Sequence, residues 1–515
     1  MKPWVKIGSE RRSHAEVRAR ARQAAAGFEM LGIGQGDVVA ICLRNDFAFL
    51  EASLGAQHLG AYVTMLNWHA TAAEAAYVLA DSGAKILVVH DDILQAIEAS
   101  VPEGIELFSV RASAELRREY GLPPADRPIA GHAHDWEGWV AAFTPIDIAP
   151  RASGGTMIYT SGTTGKPKAV RREPPRPEEA RSTFEGYMKA YGARSHRERP
   201  GEIVALAAGP LYHAAPSAWT SFYLKLGANI VLEPKFDAAR TLQLIEEEHV
   251  THMLAVPTMF VRLLALPAET RAAADLSSLG FVMHGAAPCP PHVKRAMIDW
   301  WGPIVAEHYG GTESGVLTFC SSEDWLAHPG TVGHAMPEVD LRILRPDGSE
   351  CAPGETGEIF GRRRLFPDFT YFGDAAKRQS AERHGLISLG DRGYLDEDGY
   401  LFLTGRASDM IISGGVNIYP AEIESEILSL QGVKDCAVFG IPDEEFGERI
   451  CAVVEPEPGA TLDAATLSAV LRTRLASYKI PRRFEFRFDL PREDSGKIMK
   501  RKLRDPFWVD AGRSI

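Results

Sequence analysis

Apolar residues follow two alternating patterns along the first part of the chain. Short runs rich in valine, isoleucine and leucine, such as residues 37–43 and 85–90, predict strands. Apolar positions at helical spacing, as in residues 14–32, predict helices between the strands. The helix over 14–32 is expected to end at Gly32, because glycine is common at helix C-caps. Strands that alternate with helices are typical of βα units on a parallel sheet.

This alternation occurs in two separate regions of the chain. In the first region the predicted elements lie at 37–43, 51–66, 72–83 and 85–90. In the second region strands are predicted at 203–209, 228–234, 252–257 and 280–287, and helices at 237–249, 258–266 and 291–301. The stretch 171–200 is rich in proline and charge and predicts an exposed loop with one helix in it. Two α/β lobes are therefore expected.

The pattern changes after residue 320. Residues 351–361 and 393–406 contain short strands separated by acidic and glycine turns, which favours antiparallel pairing. Past Arg406, a polar link, a strand, a Gly-Gly turn and a helix indicate a separate unit with a small core of its own. The predicted fold is α/β. We expect a large N-terminal domain of two α/β lobes plus a β-rich subdomain over 1–406, a hinge at 407–410, and a small mobile α+β C-terminal domain over 411–515.

Composition and charge exclude several classes of protein. The chain has 515 residues, of which 45% are hydrophobic and 24% charged, as in soluble globular proteins of two or more domains. Its formal net charge of −12 argues against a nucleic-acid partner. The six cysteines are far apart and lack a spacing suited to zinc, which predicts reduced thiols in a cytoplasmic protein. Because no apolar run reaches the length of a signal peptide or a membrane span, no stable membrane insertion is expected.

Residues 157–170, MIYTSGTTGKPKAV, place glycines, hydroxyl residues and lysines between two strand-like runs. The stretch is not a Walker A loop, because only two residues separate Gly162 from Gly165 and Pro167 follows Lys166. A flexible hairpin turn would explain the glycines but not the density of hydroxyls and lysines. Glycines let backbone N–H groups approach an anion, and the side chains add hydroxyl donors and positive charge. The stretch therefore predicts a polyphosphate site between two strands.

This stretch resembles the phosphate loop of the adenylate-forming superfamily, which includes acyl-CoA synthetases, carrier-protein adenylation domains and luciferases. Other stretches similar to the family's motifs follow in order: PLYHAAP (210–216), HGAAPCP (284–290), EHYGGTESG (307–315), PGETGEI (353–359), SLGDRGYLDEDGY (388–400), GRASDMIISGGVNIYPAEIE (405–424), LASYKIPR (475–482) and PREDSGKIMKRKL (491–503). The resemblance implies an AMP-forming acyl-CoA synthetase. Such an enzyme uses ATP and Mg²⁺ to convert a carboxylic acid to acyl-AMP and then transfers the acyl group to coenzyme A.

The resemblance implies a nucleotide site built from several of these motifs. Gly285, Ala286 and Ala287 would lie against the adenine ring, where small side chains leave a flat slot. Asp391 would accept hydrogen bonds from the two ribose hydroxyls. The other implied nucleotide contacts are Thr160, Ser161, Gly162, Thr163, Thr164, Gly165, Lys166, Lys168, His308, Tyr309, Gly310 and Arg406. Without the surrounding motifs, these residues would indicate close packing, turns and a surface arginine.

Four residues are implied to be catalytic. Thr312 would hydrogen-bond the α-phosphate, while Glu313, together with Thr163, would bind Mg²⁺, a hard cation that prefers oxygen ligands. Lys497 would bridge the carboxylate and the α-phosphate and counter the charge that develops as a carboxylate oxygen attacks phosphorus. His213 would gate the acyl tunnel. The alternatives are a turn for Thr312 and Glu313, a core position for His213, and a basic tail for the segment around Lys497.

The family also implies a second conformation for the thioester step. The small domain would rotate about Ser408, where the family more often has aspartate or lysine. Ser413, Gly414 and Gly415 would then line the coenzyme A tunnel. The acyl pocket is expected at Ala214, Trp219, Met283 and Gly311. These small and apolar residues predict a hydrophobic acid of medium to large size, such as a fatty, aromatic or alicyclic acid.

Several alternatives stay open at this point. The same motifs serve enzymes that load a carrier-protein thiol or another acceptor, although a free-standing chain favours coenzyme A. An inactive nucleotide-binding protein is disfavoured by Lys497, Glu313 and Asp391, and a kinase by the failed Walker pattern. The motifs determine neither the acid nor whether Lys497 is acetylated. They also leave the assembly state open, and a homodimer is one option.

Overall fold

A computed structural model describes residues 2–123, 132–160, 168–196, 199–406, 409–413, 416–443, 446–493 and 498–509. In these ranges the chain forms four β-sheets with helices packed on them. The predicted fold class is confirmed: the protein is mixed α/β, with a large amino-terminal part and a small carboxy-terminal one. None of the helices within the described ranges combines the length and the apolar character needed to cross a membrane.

The first lobe is built on an eight-stranded sheet. From edge to edge its strands are Phe369–Tyr371, Lys168–Arg172, Thr156–Thr160, Tyr62–Met65, Val38–Cys42, Ile86–His90, Glu106–Val110 and His134–Asp135. The first two strands are antiparallel to their neighbours and the others run parallel. Alternate residues of Val38–Cys42 belong to two different hydrophobic clusters, so both faces of the sheet are buried. The helices of this lobe are His14–Met30, Phe47–His58, Ala72–Ser82, Asp91–Ile97, Ala114–Tyr120 and Trp136–Ala141.

The second lobe is built on a nine-stranded sheet. Its strands, in spatial order, are His334–Ala335, Gly315–Cys320, Val305–Gly311, Phe281–His284, His252–Ala255, Val204–Ala207, Asn229–Leu232, Trp4–Ile7 and Glu10–Ser13. Its helices are Pro177–Ala190, Ala214–Leu226, Ala238–Glu248, Pro257–Leu264, Ala268–Ala273, Pro291–Trp301 and Ser322–Ala327. The helix predicted over 291–301 has those bounds, and the one predicted over 258–266 begins one residue earlier, at Pro257.

The β-rich piece predicted after residue 320 is also present. Its sheet has five antiparallel strands: Val339–Leu344, Gly357–Arg363, Leu386–Leu395, Glu382–Arg383 and Leu401–Arg406. One short helix, Ala375–Ser380, lies beside it. In this sheet Asp391 on Leu386–Leu395 is the cross-strand partner of Arg406 on Leu401–Arg406.

The residues after 409 build a fourth sheet and their own hydrophobic clusters. The sheet contains Val416–Ile418, Ile411–Ser413, Gly447–Pro456, Val433–Asp443 and Arg483–Phe486, and the helices are Pro420–Leu428, Ala464–Leu471 and Lys500–Arg504. The sequence predicted one strand before the first helix, and this was wrong: Ile411–Ser413 and Val416–Ile418 form an antiparallel pair. The second strand, three residues long, lies between the Gly-Gly turn and the helix Pro420–Leu428.

A buried asparagine joins the two lobes next to the predicted site. The Asn45 side-chain amide donates to the carbonyl oxygens of Gly209 and Glu233, at 3.1 and 2.8 Å, and its oxygen accepts from the Leu211 amide at 2.8 Å. All three hydrogen bonds cross from the first lobe to the second. They fix the loop that leads into His213.

Candidate functional site

A cavity of about 2100 Å³ lies where the lobes, the β-rich piece and the carboxy-terminal part meet. Predicted site residues from four separate motifs lie on its wall: His213, Ala214, Gly285, Ala286, His308, Gly310, Gly311, Thr312, Glu313 and Asp391. These residues are far apart in the sequence, so their convergence is a property of the fold. The cavity is the candidate active site.

The next predicted residues do not line this cavity or lie outside the described residues. Thr160 ends one strand and Lys168 begins the next, and the two are antiparallel partners, as the strand–loop–strand prediction required. The Lys168 side chain lies within hydrogen-bonding reach of the Tyr77 hydroxyl. Ser413 ends the strand Ile411–Ser413. The predicted residues Ser161, Gly162, Thr163, Thr164, Gly165, Lys166, Ser408, Gly414, Gly415 and Lys497 lie outside the described residues.

Thr312 and Glu313 occupy the tight turn between the strands Val305–Gly311 and Gly315–Cys320. A Cβ atom at Gly310 would lie 2.1 Å from the carbonyl oxygen of Gly315, so only glycine allows the strands to approach this closely. The Gly311 amide donates to the Ser314 hydroxyl at 3.2 Å and closes the turn. The turn therefore presents a hydroxyl and a carboxylate to the cavity at a defined position.

The side chain of Arg172 holds this turn in place. The sequence did not identify Arg172 as a site residue. Its Nη2 donates to the carbonyl oxygens of Thr312 and Glu313, both at 2.7 Å, and its Nη1 donates to that of Pro367. The guanidinium packs over the Phe366 ring at 4.5 Å. Burial lowers the pKa of Arg172 to about 10, so the side chain stays charged at neutral pH. In the sequence Arg172 belongs to the stretch 171–200, which predicted an exposed loop rather than a site.

A second residue that the sequence missed orients the Glu313 carboxylate. The Tyr371 hydroxyl donates to Glu313 Oε1 at 3.1 Å. Burial, reinforced by the nearby Glu313 charge, raises the pKa of Tyr371, so this donor keeps its proton. Tyr371 lies on the edge strand of the first-lobe sheet and Arg172 on the strand paired with it, which places both beside the turn.

Asp391 lies on the cavity wall, next to the side chain of Tyr309. The Tyr309 hydroxyl donates to Asp391 Oδ2 at 2.9 Å. Arg406 is the cross-strand partner of Asp391, so two predicted nucleotide contacts lie side by side on one sheet. The carboxylate is thus fixed by a partner that is itself largely buried.

The predicted adenine slot is narrow. A Cβ atom at Gly285 would lie 2.8 Å from the carbonyl oxygen of His308, and Ala286 has a left-handed backbone with φ of 66°. A left-handed alanine is strained, and such strain is often found at functional sites. Burial lowers the pKa of His308 to about 4, so its ring is neutral at pH 7. Ala287 follows Ala286 in the same loop.

The predicted acyl pocket needs correction at two positions. Ala214 and Gly311 lie on the cavity wall, but Trp219 and Met283 are fully buried in the hydrophobic core behind it. Residues 214–218, 221, 222, 224 and 225 of the helix Ala214–Leu226 line the cavity, whereas Trp219 is turned into the core, where its ring contacts Tyr223. Met283 lies in a buried strand of the second sheet. Proximity to a motif in the sequence did not reveal which face of each element lines the cavity.

Aromatic residues from a segment predicted as exposed loop form the wall instead. The helix Pro177–Ala190 contributes Phe184 and Tyr187, and Tyr191 follows as its C-cap. Phe222 approaches Phe184 from the helix Ala214–Leu226, with 5.4 Å between ring centroids. The prediction of one helix in 171–200 was right, but the helix packs onto the core.

Comparison with known proteins agrees with this geometry. Residues 2–365 match the family described as AMP-binding enzyme, and residues 422–497 match the AMP-binding enzyme C-terminal domain. A feruloyl-CoA synthase from Amycolatopsis sp is 32% identical over 98% of this chain and 95% of its own length. A fatty acid–[acyl-carrier-protein] ligase from Streptomyces coeruleorubidus is 30% identical over 98% and 93%.

A solved structure supports the same assignment. ATP-bound MatB from Rhodopseudomonas palustris superimposes with a TM-score of 0.82 at 29% identity, covering 99% of this chain and 97% of that one. The match extends over both the large and the small part. The chain therefore belongs to the AMP-binding enzyme family, and is an acyl-CoA synthetase of the adenylate-forming superfamily.

Proposed function

We propose that this enzyme converts a hydrophobic carboxylic acid to its coenzyme A thioester in two steps within the one cavity. The observation that carries the proposal is the convergence of Thr312, Glu313 and Asp391 on the cavity wall beside the Gly285–Ala286 slot. MgATP requires four kinds of group: a hydroxyl for phosphate, a carboxylate for the cation, a carboxylate for the ribose and a flat slot for the purine.

In the first step a carboxylate oxygen of the acid attacks the α-phosphorus of ATP. The new P–O bond forms as the bond from the α-phosphorus to the bridging oxygen of the β-phosphate breaks, and pyrophosphate leaves. Thr312 would hydrogen-bond the α-phosphate, and Asp391, held by Tyr309, would hold the ribose hydroxyls. Glu313 offers a carboxylate oxygen, the ligand type Mg²⁺ prefers, and a bound Mg²⁺ supplies neutralisation of phosphate charge. The predicted ligand Thr163 and the other loop residues would contact the same phosphates.

Lys497 would counter the charge that develops at the α-phosphate. Its neighbours support this placement: Glu493 before it and Met499 after it both lie on the cavity wall. The Lys500 side chain forms an ion pair with Glu424 at 2.6 Å, which anchors the segment after Lys497 to the helix Pro420–Leu428. The placement disfavours the alternative of a solvent-exposed basic tail.

In the second step the thiolate sulfur of coenzyme A attacks the carbonyl carbon of acyl-AMP. The C–S bond forms, the C–O bond to AMP breaks, and AMP leaves. We propose that residues 411–515 rotate relative to 1–406 about Ser408 between the steps, and that Ser413, Gly414 and Gly415 then line the coenzyme A tunnel. Support comes from the separate hydrophobic clusters of the part after 409.

The proposal is tested by pyrophosphate release over a panel of acids, combined with mass spectrometry of the thioester. Acid-dependent pyrophosphate and AMP, with a coenzyme A thioester as product, is the expected result. Release of ADP, or no dependence on any acid, would contradict it. Loading of a carrier-protein thiol is the second candidate, favoured by the Streptomyces relative, and is tested by supplying a phosphopantetheinylated carrier protein in place of coenzyme A. Cytoplasmic location and a homodimer stay predictions from the sequence.

A further inference from the structure

We propose that the acid is an aromatic acid that carries a hydroxyl or another polar group on its ring. This inference rests on the proposed function, because it names the substrate class of the same cavity. It is carried by the aromatic pocket, which we define as Thr183, Phe184, Tyr187, Tyr191 and Phe222, all on the cavity wall. The pocket has two properties, rigid aromatic walls and hydroxyls without partners.

The walls of the aromatic pocket are rings held in fixed relative orientations. Tyr187 and Tyr191 are stacked, with centroids 5.0 Å apart and 13° between planes. Phe222 lies edge-on to Tyr187, at 6.1 Å and 66°. Planar rings pair favourably with one another by offset stacking and edge-to-face contact, and this gain is added to the area they bury. An alkyl chain gains the buried area alone and loses the freedom of its many rotatable bonds.

The helix Ala214–Leu226 leaves space for a ring beside these walls. The residues of its first two turns that line the cavity include Ala214, Ala215, Ser217 and Ala218, whose side chains are small. Gly310 and Gly311 extend the same small surface toward the Thr312–Glu313 turn. A flat acid can therefore bind between the aromatic pocket and the turn where acyl-AMP forms.

The hydroxyls of the aromatic pocket favour a polar ligand. Within the described residues, neither the Tyr187 hydroxyl nor the Tyr191 hydroxyl forms a hydrogen bond, although Tyr191 is only 3% exposed. The Thr183 hydroxyl is also buried, and it has no partner in the same part of the chain. Burial raises the pKa of both tyrosines, so both phenols keep the protons they would donate.

Unpaired hydroxyls are costly in an apolar site, and a ligand that pairs with them is favoured over one that does not. A site whose hydroxyls pair with a substrate hydroxyl discriminates against the analogue that lacks it, here by the size of about one hydrogen bond. The hydroxyls therefore select for a ring substituent that accepts a hydrogen bond, such as a hydroxyl or a methoxy group. A purely aliphatic acid would leave them unpaired.

The test compares acids with equal carbon number in the pyrophosphate assay: 4-hydroxycinnamate, cinnamate and nonanoate. We expect kcat/KM to fall in that order, with a loss of about fivefold to tenfold for the missing hydroxyl, the size of one hydrogen bond. In Tyr187→Phe and Tyr191→Phe, the ratio between 4-hydroxycinnamate and cinnamate should fall toward one. Tyr394→Phe, which keeps its ring stacked on Phe402 on the β-rich sheet, is the matched control and should keep the parental ratio.

Preference for nonanoate over both aromatic acids would overturn the inference. An unchanged ratio in both Tyr187→Phe and Tyr191→Phe would overturn the role of the hydroxyls. Calorimetric binding of the same three acids separates this inference from the proposed function. If no acid releases pyrophosphate but 4-hydroxycinnamate binds most tightly, the adenylation proposal fails and the substrate class stands. If the acids bind equally, the substrate class fails, whatever the activity.

Discussion

Replacing Arg172 tests how the turn that carries Thr312 and Glu313 is held. Its two hydrogen bonds to the turn carbonyls are 2.7 Å long and come from a charged donor. Such bonds contribute about 1.5–3 kcal/mol each. Because the turn keeps its Ser314 contact, we expect Arg172→Met to raise the barrier to adenylation by about 1.4–2.8 kcal/mol, a tenfold to hundredfold loss of kcat/KM.

The assay separates the two steps, because Arg172 holds only the turn that serves the first. Pyrophosphate release from acid and ATP should fall, whereas thioester formation from supplied acyl-AMP should fall by less than about threefold. Arg172→Lys keeps the charge on one nitrogen and should recover part of the first step. Arg171→Met is the matched control, since that guanidinium packs over Tyr62 at 4.3 Å and, among the described residues, forms no hydrogen bond with the turn. Equal losses in both steps, or no rescue by lysine, would refute the positioning role.

The remaining predictions concern the ribose contact, the charged loop and a buried acid. Tyr309→Phe removes the donor to Asp391 and should raise the KM for ATP by about threefold to tenfold with a smaller change in kcat, measured by pyrophosphate release; an unchanged KM would contradict this. Lys497→Ala should abolish acyl-AMP formation while leaving ATP binding measurable by calorimetry, and adenylation at the parental rate would remove Lys497 from the mechanism. Glu233 is 1% exposed, and burial raises its pKa to about 8. Below pH 4.5 its carboxyl is protonated in both the folded and the unfolded state, so it does not lower the free energy of unfolding. As the pH rises from 4.5 through about 8, Glu233 ionises first in the unfolded state, and the folded state loses stability. Glu233→Gln should therefore be more stable than the parent at pH 8.5, by at most on the order of 3–5 kcal/mol, and equally stable at pH 4.5. The same difference in urea unfolding at both pH values would contradict this.

Local patterns predicted the elements of the fold well. Buried strands of a parallel sheet, such as Val38–Cys42, appear as apolar runs whatever they pair with, and the helix Pro291–Trp301 has its predicted bounds. The short strand Val416–Ile418 was missed, because its place in the sheet is set by pairing with Ile411–Ser413 across the turn and not by a pattern of its own. The domain boundaries at 406 and 411 stay predictions.

The site was predictable only where a motif carries it. Glycine is required at 310 by the approach of two backbones and at 315 by a left-handed backbone with φ of 69°, so the turn that presents Thr312 could be expected from the sequence. The contacts of Arg172 and Tyr371 could not, because each reaches a residue far away along the chain. Helix packing determines that the Trp219 side chain faces the core, and the neighbouring motif residues carry no information about this packing.

The account's central claim is that the carboxylate of the acid attacks the α-phosphorus of ATP. The most direct measurement supplies the acid with both carboxylate oxygens as oxygen-18 and follows the label by mass spectrometry. Because the second step breaks the bond between the acyl carbon and that oxygen, we predict AMP with one oxygen-18 atom and unlabelled pyrophosphate. Unlabelled AMP, or label in inorganic phosphate with ADP as the other product, would contradict the account.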